Sequence, residues 1–140
     1  MKILFISAAN KNFDGRTRAL LDVLNSFAEV IDITATQEAD FAENSSYYVN
    51  YKSYKEFIRK TVELGKKHRD VDFIFADNRK ATVPALKLNK LLKPKAVIYD
   101  ARELYLQRET HGFASKVGCI FETRMISKAA LTICANEERK

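Results

Sequence analysis

Val71-Asp72-Phe73-Ile74-Phe75-Ala76 is followed by Val83-Pro84-Ala85-Leu86-Lys87-Leu88-Asn89-Lys90-Leu91-Leu92-Lys93-Pro94 and then by Ala96-Val97-Ile98-Tyr99, and these three pieces decide the fold. The outer two are short apolar runs, rich in β-branched and aromatic residues and interrupted only at Asp72. Runs without polar alternation indicate strands covered on both faces, as in parallel sheets. The middle piece carries Val83, Leu86, Leu88, Leu91 and Leu92 at helical spacing and stops at Lys93-Pro94, because proline disfavours the helical region for its predecessor. Strand, helix and strand in this order make a right-handed crossover between parallel neighbours.

The same pattern extends outward in both directions. Toward the N-terminus lie apolar runs at 3–6 and 30–33, with a helix between them over 18–27 that carries Leu20, Leu21, Val23, Leu24 and Phe27. Toward the C-terminus a helix over 113–130 carries Phe113, Val117, Ile120, Phe121, Met125 and Ile126 and leads into a strand at 131–135. Between 47 and 69, Tyr47, Tyr51, Tyr54, Ile58 and Val62 follow helical steps, with Lys52, Lys55, Arg59, Lys60, Lys66 and Lys67 mostly opposite. This segment reads as a basic amphipathic helix. Residues 34–45, acidic and polar, read as a surface loop. The expected architecture is a Rossmann-like, doubly wound parallel sheet of about five strands with helices on both faces. It forms a single domain over 1–140, a length that suits one domain.

Composition narrows the class further. Hydrophobic residues make up 46% of the chain, enough for a sizeable core, and no window approaches the roughly 18 apolar residues of a membrane span. The apolar run at 3–6 gives way to a polar loop, so it reads as a buried strand and not as a signal peptide. Cys119 and Cys134 stand in apolar surroundings without CxxC spacing, which indicates reduced thiols, no metal site and a cytoplasmic setting. The net charge of +6 is uneven: residues 1–50 hold four Lys/Arg and seven Asp/Glu, residues 51–140 twenty and eleven. Such asymmetry suits a surface facing something anionic. Nucleic acid is not expected, because no aromatic–basic interleaving or known motif occurs.

In open α/β sheets ligands bind at the carboxyl ends of the strands, near the point where strand order reverses. Four loops qualify, at 7–18, 77–80, 100–105 and 136–138. In the first, Asp14-Gly15-Arg16 precedes a helix whose free N–H groups favour an anion, with Gly15 permitting close backbone approach. The same residues equally describe a plain helix start with Asp14 as N-cap. The third loop clusters Asp100, Arg102 and Glu103 between Tyr99 and Tyr105. Carboxylate, guanidinium and aromatic groups suit a hydroxyl-rich ligand or a phosphate, and they also suit an arginine–carboxylate pair that fixes the loop. Neither GxGxxG nor GxxxxGK[ST] is present, so the dinucleotide and P-loop fingerprints are absent. His68 reads as a solvated last-turn residue and His111-Gly112 as a turn, so no catalytic residue is assigned.

Together these residues resemble retaining GT-B glycosyltransferases of the group 1, or family 4, type. The opening through Asn12-Phe13-Asp14-Gly15-Arg16 is similar to members with a DxR turn, and 71–78 with Val83-Pro84-Ala85-Leu86 to the family's DvvhahD…paa stretch. Ile98-Tyr99-Asp100-Ala101-Arg102-Glu103-Leu104-Tyr105 resembles vYDaHElyp, and 122–137 resembles E…l.kkaD.vitvse. The chain departs from the family in carrying Asp77 and Arg102 where histidine is common. The resemblance implies the N-terminal, acceptor-side half of an enzyme that transfers a sugar from a nucleotide-sugar donor to a glycan or lipid-linked acceptor in polysaccharide biosynthesis. Asp14, Gly15, Arg16, Asp77, Asn78, Asp100, Arg102 and Glu103 would then bind substrate. The donor would bind mainly to a C-terminal domain, in cis or in trans, whose E-x7-E pair these residues lack, leaving the isolated chain inactive. The basic segment 47–69 would suit peripheral contact with the inner face of an anionic membrane. The competing expectation is a non-catalytic Rossmann-like binding module that uses its basic face for an anionic partner or membrane.

Overall fold

A computed structural model describes residues 1–102 and 113–134, with the side chains of 113–116 and 134 left aside. The strands are β1 (Lys2–Ser7), β2 (Glu29–Ala35), β3 (Phe41–Glu43), β4 (Ser46–Val49), β5 (Phe73–Asp77), β6 (Ala96–Ala101) and β7 (Leu131–Cys134). The helices are α1 (Gly15–Asn25), α2 (Tyr54–Gly65), α3 (Thr82–Leu92) and α4 (Phe113–Lys128). The strands form one sheet in the order β3-β4-β2-β1-β5-β6-β7, parallel throughout except for β3. Chain order reverses between β1 and β5, which makes their carboxyl ends the switch point of a doubly wound sheet.

The apolar runs form the middle of the sheet, as their continuous hydrophobicity requires. Ile3, Leu4, Phe5 and Ile6 of β1 are at most 2% exposed. One face packs Leu4, Ile6, Ile33 and Ile74 against Phe57 of α2, Leu88 of α3 and Met125 of α4. The other packs Ile3, Phe5, Val30 and Phe75 against Leu21 and Leu24 of α1. Among the described residues helices therefore cover both faces, three on one and one on the other.

Three expectations are corrected here. The sheet has seven strands, because residues 41–49 form β3 and β4, not a loop and a helix start. The two strands pair antiparallel, Phe41 opposite Tyr48, with the rings stacked 4.3 Å apart. The turn between them places Asn44 at φ 55°, a left-handed conformation that asparagine tolerates. Burial, not local propensity, decides for strand: β4 adds to β2 in parallel, and Ser46 Oγ donates to the buried carboxylate of Asp32 (2.7 Å). Lys11 Nζ reaches the same carboxylate (2.9 Å) and Ser46 Oγ (2.7 Å), tying the loop after β1 to the hairpin.

The helix expected over 47–69 occupies only Tyr54–Gly65, capped by Ser53, whose side chain accepts from the Glu56 N–H. Its buried line is Phe57, Thr61 and Gly65, one position away from the expected stripe of Tyr54, Ile58 and Val62. A Cβ at Gly65 would meet Leu88 Cδ1 at 2.6 Å, so the missing side chain is what lets α2 approach α3. Lys60 bonds Asp40 (2.7 Å) and Glu56 (3.1 Å), and Arg59 lies 3.6 Å from Glu63, so part of the basic face is neutralised within the chain. His68, expected in solvent, shares a 2.9 Å hydrogen bond with the Tyr47 hydroxyl, and burial lowers its pKa. No helix among the described residues is long and apolar enough to cross a membrane.

Candidate functional site

Strand register aligns three polar strand ends at the switch point. Ser7 of β1 lies opposite Asp77 of β5, and Asp77 opposite Asp100 of β6. Both carboxylates are 0% exposed. A buried carboxylate must be paired or hydrogen-bonded to persist, and each of these is. Asp77 Oδ2 accepts from Ser7 Oγ (2.8 Å) and Thr17 Oγ1 (2.9 Å). The Arg102 guanidinium grips both oxygens, Nε to Oδ1 at 3.0 Å and Nη2 to Oδ2 at 2.9 Å, while its Nη1 donates to Asp14 Oδ2 at 2.8 Å. Arg102 Nη2 also contacts Thr17 Oγ1.

Helix α1 delivers the other half of the cluster. Asp14 caps it, Oδ1 accepting from the Thr17 N–H at 3.0 Å, which is the helix-start reading of this loop. One residue inside, Arg16 reaches Asp100 with Nη2 at 2.7 Å from Oδ1 and Nε at 3.3 Å from Oδ2. Its side chain keeps 42% of its surface in solvent, so Arg16 joins the buried carboxylate to the outside. At Gly15 a Cβ would meet nothing within 4 Å, so the helix start borders open space. Glycine is not required there by the chain's own packing.

Asn78 closes the second loop with φ 71° and ψ 173°, a left-handed region that side chains rarely adopt. It is held by its N–H to the Asp100 carbonyl (2.9 Å) and by its side chain accepting from the Arg79 N–H (2.8 Å). Such a conformation costs on the order of 1–3 kcal/mol and persists only where the surroundings enforce it. The structure thus brings together Asp14, Arg16, Asp77, Asn78, Asp100 and Arg102, with Gly15 at the rim. Glu103 lies outside the described residues, as do Tyr105 and the loop at 136–138. Sequence reasoning did not single out Ser7 and Thr17, whose hydroxyls complete the shell of Asp77. Their only advance signal was a position at a strand end and in a first helical turn.

A second polar group lies nearby. Tyr99, expected to flank the ligand, is 0% exposed and donates to Glu122 Oε1 at 2.6 Å. Glu122 also faces Arg79, which contacts Cys119 Sγ. Tyr99 therefore belongs to the core beneath the site. Among the described residues no group of three or more His, Cys, Asp or Glu could hold a metal ion.

The charges shift in opposite directions. The Arg102 hydrogen bond holds Asp14 below the ordinary carboxylate range despite partial burial. Burial pushes Asp100 up, more than the Arg16 bond and charge bring it down, and burial likewise raises Glu122. Burial opposes the charge of Arg102, but the Asp14 bond and the charge of Asp77 outweigh it and raise its pKa. Asp14, Asp40, Asp70 and Asp72 are all lowered, so each contributes stability above its unfolded value near 3.8 that is lost as pH falls through the folded value. The raised Asp100 and Glu122 act with opposite sign, costing stability while charged and regaining it on protonation. His68, lowered by burial, costs stability as pH falls through its unfolded value of 6.5 and offsets that gain. Melting temperature should therefore change little from pH 7 toward about 5 and fall steeply below about 4. A scan of melting temperature against pH checks this; with His68→Gln in place, a monotonic decline from pH 7 would contradict the assignment for Asp100 and Glu122.

No known protein-family model matches the chain, and no curated protein sequence does. Solved structures do. An alpha-glucosyltransferase in complex with UDP and a 13-mer DNA containing an A:G mismatch aligns with 100% of this chain at 16% identity and a TM-score of 0.56. The chain spans 38% of that enzyme's length. A short-chain dehydrogenase/reductase from Veillonella parvula aligns over 94% of this chain at 10% identity, TM-score 0.54, covering 66% of that protein. The SurE protein from Aquifex aeolicus aligns over 97% at 11% identity, TM-score 0.51, covering 67% of its length. At these identities the likeness shows the fold alone, a Rossmann-like sheet of the kind found in part of a glycosyltransferase.

Proposed function

We propose that the chain is the acceptor-side domain of a glycosyltransferase and works with a donor-binding domain, in cis or in trans, that holds the nucleotide-sugar. The observation that carries this reading is the cluster at the switch point. Asp14, Asp77 and Asp100 accept hydrogen bonds, Arg16 and Arg102 donate them, and Gly15 leaves the helix start open. Sugar hydroxyls both donate and accept, so the part of this cluster that reaches solvent, the Arg16 guanidinium and the Asp14 carboxylate, suits a glycan. The fold shared with part of a UDP-bound glucosyltransferase and the family resemblance of four ordered motifs support the same reading. The domain supplies binding and orientation; by itself it is not expected to transfer sugar.

Amide NMR titration with soluble oligosaccharide acceptors tests it. Shifts should concentrate at 12–18, 77–80 and 100–102, and Arg16→Ala should weaken binding roughly tenfold, the worth of one charged hydrogen bond. Shifts confined to surfaces away from these loops would sink the reading.

One observation favours a second reading. Arg16 and Arg102 are both held by the chain's own carboxylates, as in a structural brace of a non-catalytic binding module. That module would meet an anionic partner or membrane through the exposed face of α2 within the segment 47–69. Anion or vesicle binding that survives Arg102→Ala but is lost when the exposed Lys55 and Arg59 are reversed in charge would establish it.

A further inference from the structure

Between α2, α3 and α4 lies a groove of about 870 Å³. Its floor is apolar: Ile58, Val83, Leu86, Val117 and Phe121 line it, each half-buried. Its rim carries Lys80, Lys87, Lys90 and Arg124, all exposed. No carboxylate lines the groove among the described residues, and none of these four cations has an ion-pair partner among them. Four basic side chains elsewhere are neutralised locally, Lys2 by Asp70, Lys11 by Asp32, Lys60 by Asp40 and Lys95 by Asp72, whereas Lys66 and Lys67, like the groove rim, have no ion pair among the described residues. What sets the rim apart is the apolar floor beneath it. An apolar trough under uncompensated positive charge is complementary to a molecule that is both apolar and anionic.

We propose that this groove holds the hydrocarbon chain of a single anionic lipid whose phosphate is met by the lysine and arginine rim. The groove is concave, which favours a chain entering the protein; insertion into a bilayer needs apolar side chains that project, and these five form a floor. At one end it is lined by Tyr54 and Thr82, the first residues of α2 and α3, and by Arg79, next to Asn78 of the switch-point loop. A lipid lying along it would bring its head toward the carboxyl edge of the sheet. The inference rests on the acceptor reading and deepens it: the acceptor class is a lipid phosphate.

Calorimetry with monomeric alkyl phosphates, together with methyl NMR, tests the proposal. Dodecyl phosphate should bind far more tightly than inorganic phosphate or dodecyl glucoside, and each two methylenes added to the chain should tighten binding roughly tenfold. The methyls of Ile58, Val83, Leu86 and Val117 should shift. Reversing Lys87 and Lys90 to glutamate should weaken binding roughly tenfold or more, whereas Lys66→Glu with Lys67→Glu, off the groove, should change it by no more than about twofold. Equal losses in both double variants, no dependence on chain length, or binding of an acidic amphipathic peptide or an anionic vesicle without binding of dodecyl phosphate would overturn the proposal. The two readings separate cleanly. Dodecyl phosphate bound in the groove, with loops 12–18 and 77–80 unshifted by it and by every glycan, removes the acceptor role and keeps the groove. Glycan shifts in those loops, with dodecyl phosphate binding no better than inorganic phosphate, do the reverse.

Discussion

Replacing Asp77 by alanine should lower the unfolding free energy by about 3–5 kcal/mol, the cost of removing one partner from a buried ion pair. Asp77 is 0% exposed and receives Ser7 Oγ, Thr17 Oγ1 and two nitrogens of Arg102. The serine and threonine hydroxyls can rotate toward other acceptors, so they contribute little of the loss. The guanidinium cannot change its charge, and in the variant only Asp14 remains to balance it among the contacts named above. The expected value therefore falls at the lower end of the range. Denaturant unfolding followed by circular dichroism measures it. Adding Arg102→Ala to Asp77→Ala should recover part of the loss, because the double variant removes both charges of the pair. A single-variant loss below about 1 kcal/mol, the range of exposed pairs, would mean that the cluster is solvated and not a buried brace.

Phe57→Ala should cost about 3–5 kcal/mol, as for other fully buried phenylalanines cut to alanine. Phe57 is 0% exposed and joins α2 to the core that contains Leu4, Ile33, Leu88 and Met125. Its ring lies 5.0 Å from that of Tyr51 and 6.3 Å from that of Tyr54. Thr61 and Gly65 complete the same buried line and are small, so neighbours on α2 cannot close over the cavity. Ile58→Ala is the informative comparison. Ile58 lies on the stripe that the sequence suggests as the buried face, yet it is only half-buried and should cost about 1 kcal/mol. Equal losses at 57 and 58 would place the helix in the other rotation.

That comparison shows where sequence reading of α2 went astray. Tyrosines at 47, 51 and 54 supplied helical spacing by coincidence, since Tyr47 belongs to a strand and Tyr51 precedes the helix. The true buried line was hidden because Thr61 and Gly65 are not hydrophobic by type. They are buried by closeness of approach, which periodicity does not register. By contrast, the runs at 3–6, 73–76 and 96–99 were legible because strands buried on both faces have to be apolar at every position. The candidate site was legible as a set of loops, for any parallel sheet presents its loops at the carboxyl edge. Its internal wiring was not.

The sequence by itself determined the alternation of strands and helices and the parallel sheet, because each follows from residues close together in the chain. Only the tertiary structure decided that 41–49 would pair as strands, that Phe57 and not Ile58 would face the core, and that the arginines would be committed. Arg16 meets Asp100 across 84 positions and Arg102 meets Asp14 across 88. A guanidinium in a loop is equally suited to a phosphate, a sugar or a carboxylate. Which one it takes depends on what the folded sheet buries beside it: two carboxylates at the switch point must be neutralised, and these two arginines are within reach.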